Sequence, residues 1–279
     1  EEPAPTGEPV VTEEPVVTEE PAADERVVET VEAMNEAGAV LVDENGEPIT
    51  LATEEGLEAL SDATPYIVRG GTAYYFTVAD CDPFAGGSQP CANPIQAAID
   101  LAVAGEVINL EPGTYQAQLF ITKDVTLQGT APGVVIQSPA SVANCYTTTT
   151  TNRAIVCVTG ASNVSLLDIT VDGLGYGNAN YRFDGIGYFN AGGTIQGSTV
   201  TNIINTPFQG SEHGVVSYVY NSGATAQTID ILDNTVDNFQ KGGIVVTGNN
   251  LTAVIQGNTV IGEGPTTVIA QNGIQVSGG

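Results

Sequence analysis

The fold is decided by a repeat whose first copy is Asp184-Gly185-Ile186-Gly187-Tyr188. In each copy a glycine precedes a β-branched residue, and the successive glycines are 29, 29 and 30 residues apart. A fixed period between about 20 and 50 residues is typical of solenoids and other repeat arrays. One such unit cannot bury an apolar face alone, so neighbouring copies are expected to stack. The other copies are His213–Ser217, Gly242–Val246 and Asn272–Val276.

A second repeat lies between the glycine copies and pairs apolar residues five positions apart. The pairs are Leu166 with Val171, Ile195 with Val200, Ile231 with Val236, and Ile255 with Val260. Small polar residues hold one equivalent position in the last three copies: Ser198, Asn234 and Asn258. Stacked at about 4.8 Å, Asn234 and Asn258 would form a ladder, since each side-chain amide both donates and accepts hydrogen bonds.

The repeated unit is rich in β-branched residues, Gly, Asn and Thr, which favours short strands and tight turns over helices. We expect Ile186, Val215, Ile244 and Ile274 to point into a shared interior, each covering its neighbour in the next copy. The predicted fold class is therefore all-β, a right-handed parallel β-helix. A β-sandwich is the less favoured alternative, because it would show hairpins and alternation without a recurring register.

The net charge of −27 is concentrated near the start of the sequence. Residues 1–62 hold 19 of the 33 acidic side chains and one base, Arg26, which leaves 14 acids and five bases, a net −9, for the remainder. Such a chain repels phosphates and anionic membrane surfaces, so we expect neither nucleic acid nor membrane as a partner. No run of 18 apolar residues is present, which argues against membrane insertion.

Four cysteines suit an oxidising compartment and allow three pairings. The local pairing joins Cys81 with Cys91 and Cys145 with Cys157, closing two short loops. The alternative, a zinc site, is disfavoured because the cysteine spacings of 10, 54 and 12 contain no Cys-x-x-Cys. An extracellular or cell-surface location is predicted, without a metal or other cofactor.

Two regions are predicted. Residues 1–64 form a disordered acidic spacer rich in Pro, Glu, Val and Thr, because proline recurs every six residues and the carboxylates repel one another. Within it, residues 24–37 would make a marginal helix and residues 40–49 a small hairpin around Asn45-Gly46. Residues 65–279 form the β-helix, which we expect to continue beyond Gly279 because the chain ends just after a strand without a polar cap.

An amphipathic helix is predicted before the first rungs, with Asn93 as N-cap, Pro94 at the first helical position, and an apolar face that covers the open end of the solenoid. That face consists of Ile95, Ala98, Ile99 and Ala102. Two insertions interrupt the rungs, residues 138–153 and residues 173–182. Insertions in solenoids map to one edge of the stack and often form binding sites.

Three stretches, residues 95–100, 108–115 and 125–129, together with the repeat at 269–276, resemble pectin-lyase-like right-handed parallel β-helix proteins. Cys91 is similar to the cysteine that opens bacterial cell-surface β-helix proteins, although Ile95-Gln96 stands where those carry Arg-Glu. The resemblance covers about residues 74–279. It implies a fold shared by lyases, hydrolases, epimerases, adhesins and structural proteins, so it does not by itself fix an activity.

Stacking would bring the polar residues that precede each repeated glycine onto one ridge. If the protein is an enzyme, the candidate catalytic residues are Arg182, Asp184, Glu212, His213 and Lys241. A carboxylate pair with a base between them can perform acid–base chemistry on a sugar. The competing interpretation is that solenoid turns are polar because they face water, and under it there is no catalytic site.

Lyases that the chain resembles hold calcium on clustered aspartates, with an Arg or Lys as base. The outward positions predicted here, Gly187, Val216, Val245 and Gln275, carry no aspartate, so calcium is not the expected cofactor. A set of aspartates around the second repeat could chelate calcium but is more typical of turns. That set is Asp168, Asp172, Asp230, Asp233 and Asp237.

Four tyrosines, Tyr176, Tyr181, Tyr218 and Tyr220, are candidates for stacking on sugar rings, whereas Tyr188 is expected in the core. The predicted function is a secreted or cell-surface stalk or adhesin-like module that binds extracellular polysaccharide or another cell-surface component. The alternative is a polysaccharide-active lyase, epimerase or glycoside hydrolase. We expect a monomer, or one part of a longer chain.

Overall fold

The computed structural model describes residues 40–42, 66–68, 74–76 and 93–278. It contains one helix, α1, and 22 strands in this part of the chain. In chain order these are β1 Val40–Val42, β2 Tyr66–Val68, β3 Tyr74–Phe76, α1 Pro94–Leu101, β4 Glu106–Leu110, β5 Gly113–Gln116, β6 Leu119–Ile121, β7 Val125–Gly129, β8 Val134–Gln137, β9 Tyr146–Thr147, β10 Thr151–Thr159, β11 Val164–Leu167, β12 Thr170–Asp172, β13 Phe183–Phe189, β14 Gly193–Gln196, β15 Thr199–Thr201, β16 Val215–Asn221, β17 Gln227–Leu232, β18 Thr235–Asp237, β19 Gly242–Gly248, β20 Leu251–Gln256, β21 Thr259–Ile261 and β22 Asn272–Ser277.

Three parallel sheets wind around one interior. Sheet A has the order β6-β10-β13-β16-β19-β22, sheet B the order β3-β4-β7-β11-β14-β17-β20, and sheet C the order β5-β8-β12-β15-β18-β21. From β4 onward each turn of the chain adds one strand to each sheet, and neighbouring strands within each of these sheets are parallel. The predicted all-β, right-handed parallel β-helix is therefore confirmed.

Helix α1 begins where the sequence predicted. Asn93 caps it, with its side chain accepting a hydrogen bond from the Gln96 N–H, and Pro94 occupies the first helical turn. Its apolar face belongs to the same buried cluster as the first rungs. The helix contacts strands β3, β4 and β6, so apolar surface at this end of the solenoid packs against it.

The second repeat is confirmed in full. Leu166 pairs with Ile195, which pairs with Ile231 and then Ile255. The partner column runs through valines at 171, 200, 236 and 260. The predicted amide ladder is also present, because the Asn234 Nδ2 donates to the Asn258 Oδ1 at 2.9 Å.

The first repeat is shifted by two residues at its second copy, which corrects the predicted register. Ile186 pairs with Ser217, and Ser217 with Ile244, so Ser217 occupies the column assigned to Val215. Val215 instead lies beside Asp184 on the outer side. Gly214 belongs to the turn, where it has a φ of +100° and where a Cβ would come within 2.6 Å of the Gln240 Cβ.

The insertion at residues 138–153 ends in a hairpin. Strand β9 pairs antiparallel with the start of β10, and the predicted disulfide joins Cys145 to Cys157. The predicted Cys81–Cys91 disulfide lies outside the described residues, as does the predicted spacer at residues 1–64 apart from β1. Strand β1 pairs antiparallel with β2, whereas residues 47–49, its predicted hairpin partner, also lie outside the described residues.

Candidate functional site

The outer face of sheet A carries a second, smaller hydrophobic cluster. Phe189, Tyr218 and Val245 form its buried part, outside the solenoid core. The Tyr146 ring from the β9–β10 hairpin stacks on Phe189 with centroids 5.0 Å apart, and Phe189 meets Tyr218 edge-on at 5.5 Å. A Cβ on Gly187 would lie 2.4 Å from the Phe189 ring, so any larger residue there would displace that ring.

A groove of about 330 Å³ runs beside this cluster across several rungs of sheet A. Its lining includes all five residues of the predicted ridge, together with Tyr218 from the outward column. The complete lining is Asn152, Arg182, Asp184, Glu212, His213, Gly214, Val215, Tyr218, Lys241, Gly242, Val245, Thr247, Asn272, Gln275 and Ser277. The structure thus brings the candidate residues together at one lateral site.

Asp184 is the most unusual of these residues. It is 2% exposed, and its Oδ2 has no hydrogen-bond partner among the described residues. Burial raises the pKa of the Asp184 carboxyl well above its usual range, against the opposing effects of the Arg182 charge and a hydrogen bond from the Val215 backbone. The carboxyl is therefore held towards its protonated form, in which it can donate a hydrogen bond.

Arg182 and His213 both line the groove. The Arg182 Nε donates to the Asn152 Oδ1 at 2.9 Å, so this contact neutralises none of its charge. The His213 ring meets Tyr181 edge-on at 4.3 Å. Burial and the Arg182 charge lower the pKa of His213, with Glu212 opposing them, so the imidazole favours its neutral form.

Glu212 and Lys241 form an ion pair at 2.5 Å, and the Lys241 Nζ also donates to the Ala270 carbonyl. Glu212 therefore offsets the charge of Lys241, and Arg182 is the cation of the groove that this ion pair does not engage.

The segment that carries Glu212 and His213 is anchored by the next rung. The side chain of the fully buried Gln240 donates to the carbonyls of Gln209 and Ser211 and accepts from the Asn205 N–H. A second cavity of about 340 Å³ lies on the other side of Arg182 and His213, bounded by the insertion at residues 173–182.

The four candidate tyrosines are divided between different environments. Tyr218 lines the groove, and Tyr181, 57% exposed, lines the second cavity. Tyr220 packs against the outer cluster, while Tyr176 packs against the solenoid core. Tyr188 is confirmed as a core residue, with its hydroxyl donating to the Val164 carbonyl.

One outward position was also misassigned from the sequence. Tyr218, rather than Val216, lies between Gly187 and Val245 in the outward column, and Val216 is buried in the core. Among the groove residues that sequence reasoning missed, Asn152 comes from the hairpin, whereas Thr247 and Ser277 come from strands β19 and β22 of sheet A. The disulfide and the run of threonines were the available signals, but they do not specify which face the hairpin covers.

Of the aspartates around the second repeat, Asp168, Asp172 and Asp233 serve turns, whereas Asp230 and Asp237 lie in strands β17 and β18. Asp168 and Asp233 have φ values of 55° and 56°, and the Asp172 carboxylate accepts from Leu174 and Asn202. In the described part of the chain no group of three metal-ligating side chains lies close enough to hold an ion. None of the helices in that part is both long and apolar enough to span a bilayer.

No protein-family model matches the sequence, and no curated protein matches it. Two solved structures are similar in their fold. One is a mutant pectin methylesterase in complex with a hexasaccharide, with 15% identity and a TM-score of 0.37 over 65% of this chain and 61% of that protein. The other is a "putative glycosyl hydrolase" from Parabacteroides merdae, with 13% identity and a TM-score of 0.36 over 66% of this chain and 89% of that protein.

This chain therefore spans 61% of the pectin methylesterase to which it is similar. The identification of the fold rests on the molecule's own topology. Three parallel sheets share one interior, strands of successive turns pair in register, and a helix packs against one end. These features make the chain a right-handed parallel β-helix.

Proposed function

We propose that the protein is a secreted or cell-surface β-helix that binds extracellular polysaccharide in the lateral groove of sheet A. The observation that supports this proposal is that Arg182, Asp184 and Tyr218 all line this one groove. A groove that crosses several rungs matches the shape of an extended chain better than that of a compact ligand. The Cys145–Cys157 disulfide is consistent with an oxidising compartment.

The groove offers the contacts that sugars use. Charged and polar side chains can bond to hydroxyl or carboxylate substituents, and an aromatic ring can pack against the apolar face of a sugar. Arg182 can bind an anionic or hydroxyl substituent through its remaining N–H groups, because Asn152 engages its Nε. The rigid solenoid fixes these groups before the ligand arrives, which limits the entropy lost on binding.

Isothermal titration of the full chain against pectate, alginate, chondroitin and a neutral glucan tests the proposal. We expect binding to at least one polymer, weakened about 10-fold or more by Arg182→Ala, since a hydrogen bond to a charged group contributes about 1.5–3 kcal/mol. Arg153→Ala is the matched control, because Arg153 pairs with Phe183 in sheet A but does not line the groove. Absence of binding to every polymer, or equal losses for both variants, would contradict the proposal.

A second candidate function is cleavage of the bound polysaccharide. It is favoured by the opposite protonation preferences of two groove residues: burial holds Asp184 towards the neutral acid, and burial with Arg182 holds His213 towards the neutral base. Paired groups whose environments push their pKa values apart are typical of acid–base catalysis. As the glycosidic bond breaks, Asp184 would give its proton to the leaving oxygen. His213 would accept a proton from the attacking water in hydrolysis, or from a sugar ring carbon in elimination.

Incubation with the same polymers, with and without calcium, followed by assay of reducing and unsaturated ends, tests this candidate. Turnover that disappears in both Asp184→Asn and His213→Ala would support it. The Arg153→Ala control should retain full turnover. Binding without turnover in the wild-type protein would leave the groove as a binding site alone.

A further inference from the structure

The hairpin at residues 145–152, called here the tethered hairpin, lies outside the three stacked sheets. Its two strands, β9 and the start of β10, pair antiparallel, whereas the sheets of the solenoid are parallel. The Cys145–Cys157 disulfide fastens it to the outward column of sheet A. It is therefore held by one covalent link and by its contacts with the outer face.

The first of those contacts joins the hairpin to Arg182. Asn152 is 1% exposed, and its Nδ2 donates within the hairpin to the Tyr146 carbonyl, the Thr148 hydroxyl and the Thr150 carbonyl, each at 3.3 Å. Its Oδ1 accepts from the Arg182 Nε at 2.9 Å. The donors of the Asn152 amide are thus used inside the hairpin, and its acceptor orients the guanidinium.

The second set of contacts links the hairpin to Tyr218. The Tyr146 ring lies on Phe189, and Phe189 in turn meets the Tyr218 ring edge-on. The Asn190 side chain donates to the Tyr146 hydroxyl at 2.8 Å and fixes the hairpin ring from the opposite side.

We infer that the tethered hairpin is a wall of the groove that positions Arg182 and Tyr218 for the ligand, with Asn152 as the positioning residue for Arg182. This inference rests on the proposed polysaccharide binding. The hairpin packs on the small outer cluster, while the solenoid core is a separate cluster of stacked columns. Detaching the hairpin from the outer face should therefore leave the solenoid folded but displace Arg182 and Tyr218 in the groove.

A double-mutant cycle separates positioning from a merely structural effect. Asn152→Ala should weaken binding of the best polymer about 5- to 10-fold in the wild-type background, because the guanidinium loses the acceptor that orients it. In the Arg182→Ala background the same change should have almost no effect, because the group that Asn152 orients is gone. An equal loss in both backgrounds would refute the assignment of Asn152.

Release of the tether tests the wall itself. The full chain carrying both Cys145→Ser and Cys157→Ser should bind the polymer at least about 5-fold more weakly while retaining its β-sheet circular dichroism. Without ligand, hydrogen exchange should increase in the hairpin and around Arg182 and Tyr218 but not in sheets B and C. Hydrogen exchange does not depend on ligand binding, so it still tests whether the hairpin holds Arg182 and Tyr218 in place if no polymer binds. Unchanged exchange and unchanged affinity would overturn the inference, whereas increased exchange without binding by the wild type would contradict only the proposed function.

Discussion

The buried amide ladder makes the stability of the solenoid depend on single side chains. Asn234 is 1% exposed; its Nδ2 donates to the Ile195 carbonyl and to the Asn258 Oδ1, and its Oδ1 accepts from the Ser198 N–H at 3.0 Å. Asn234→Ala removes all three hydrogen bonds. It also leaves the Ser198 N–H without the acceptor that the fold provides.

The cost follows from these contacts. One buried donor without a partner costs about 1–3 kcal/mol, and each of the other two hydrogen bonds contributes about 1 kcal/mol net. Asn234→Ala should therefore lower the free energy of unfolding by about 3–5 kcal/mol. Asn249→Ala, at an exposed position, should change it by no more than about 0.5 kcal/mol.

Guanidinium denaturation followed by far-ultraviolet circular dichroism measures both variants. Because solenoids can lose rungs separately, hydrogen exchange should also locate the loss to the turns that contain Ser198 and Asn258. If Asn234→Ala were as stable as Asn249→Ala, the ladder would contribute nothing.

Three further predictions concern single positions. Burial raises the pKa of Asp184 in the folded protein, so the free energy of unfolding is highest below the unfolded-state pKa and falls as the pH rises towards the folded-state pKa. Asp184→Asn should remove this fall when denaturation is measured across pH. The control Glu263→Gln should leave it in place. Ile244→Asp places a charge in the stacked column and should abolish the folded sheet signal, whereas the exposed Thr252→Asp should retain it. Gly187→Ala should lower the denaturation free energy by about 1–3 kcal/mol, since the new methyl displaces the Phe189 ring; wild-type stability would contradict that steric contact.

The part of the fold that the sequence predicted best is the part whose register is uniform. The pairs beginning with Ile195 and Val200 recur as whole units, because a one-residue slip would turn a buried side chain outward. The glycine repeat was less reliable. The strand step from Ile186 to Ser217 is 31 residues and that from Ser217 to Ile244 is 27, so together they equal two steps of 29 and conceal the shift.

The sequence predicted which residues form the candidate site, but not which contacts hold them in place. Arg182, His213 and Lys241 precede strands of one sheet, and that proximity follows from stacking alone. The contacts that Asn152 and Tyr146 make with the outer face could not be predicted from the stacking of rungs, because a hairpin outside the rungs has no position in the repeat. The direction in which such an insertion folds depends on tertiary contacts that local sequence patterns do not encode.

The position of Asp184 is the strongest sign that this face serves a function. Its neighbours in the same column are Ala154 in the preceding turn and Val215 in the following one, so a small or apolar side chain satisfies the packing there. A carboxyl at that position is desolvated and leaves its Oδ2 without a partner among the described residues. A group that opposes folding in this way is expected at functional sites, where local rules are broken. Asp184 also lines the groove that holds Arg182, so this unfavourable burial lies next to the proposed binding site.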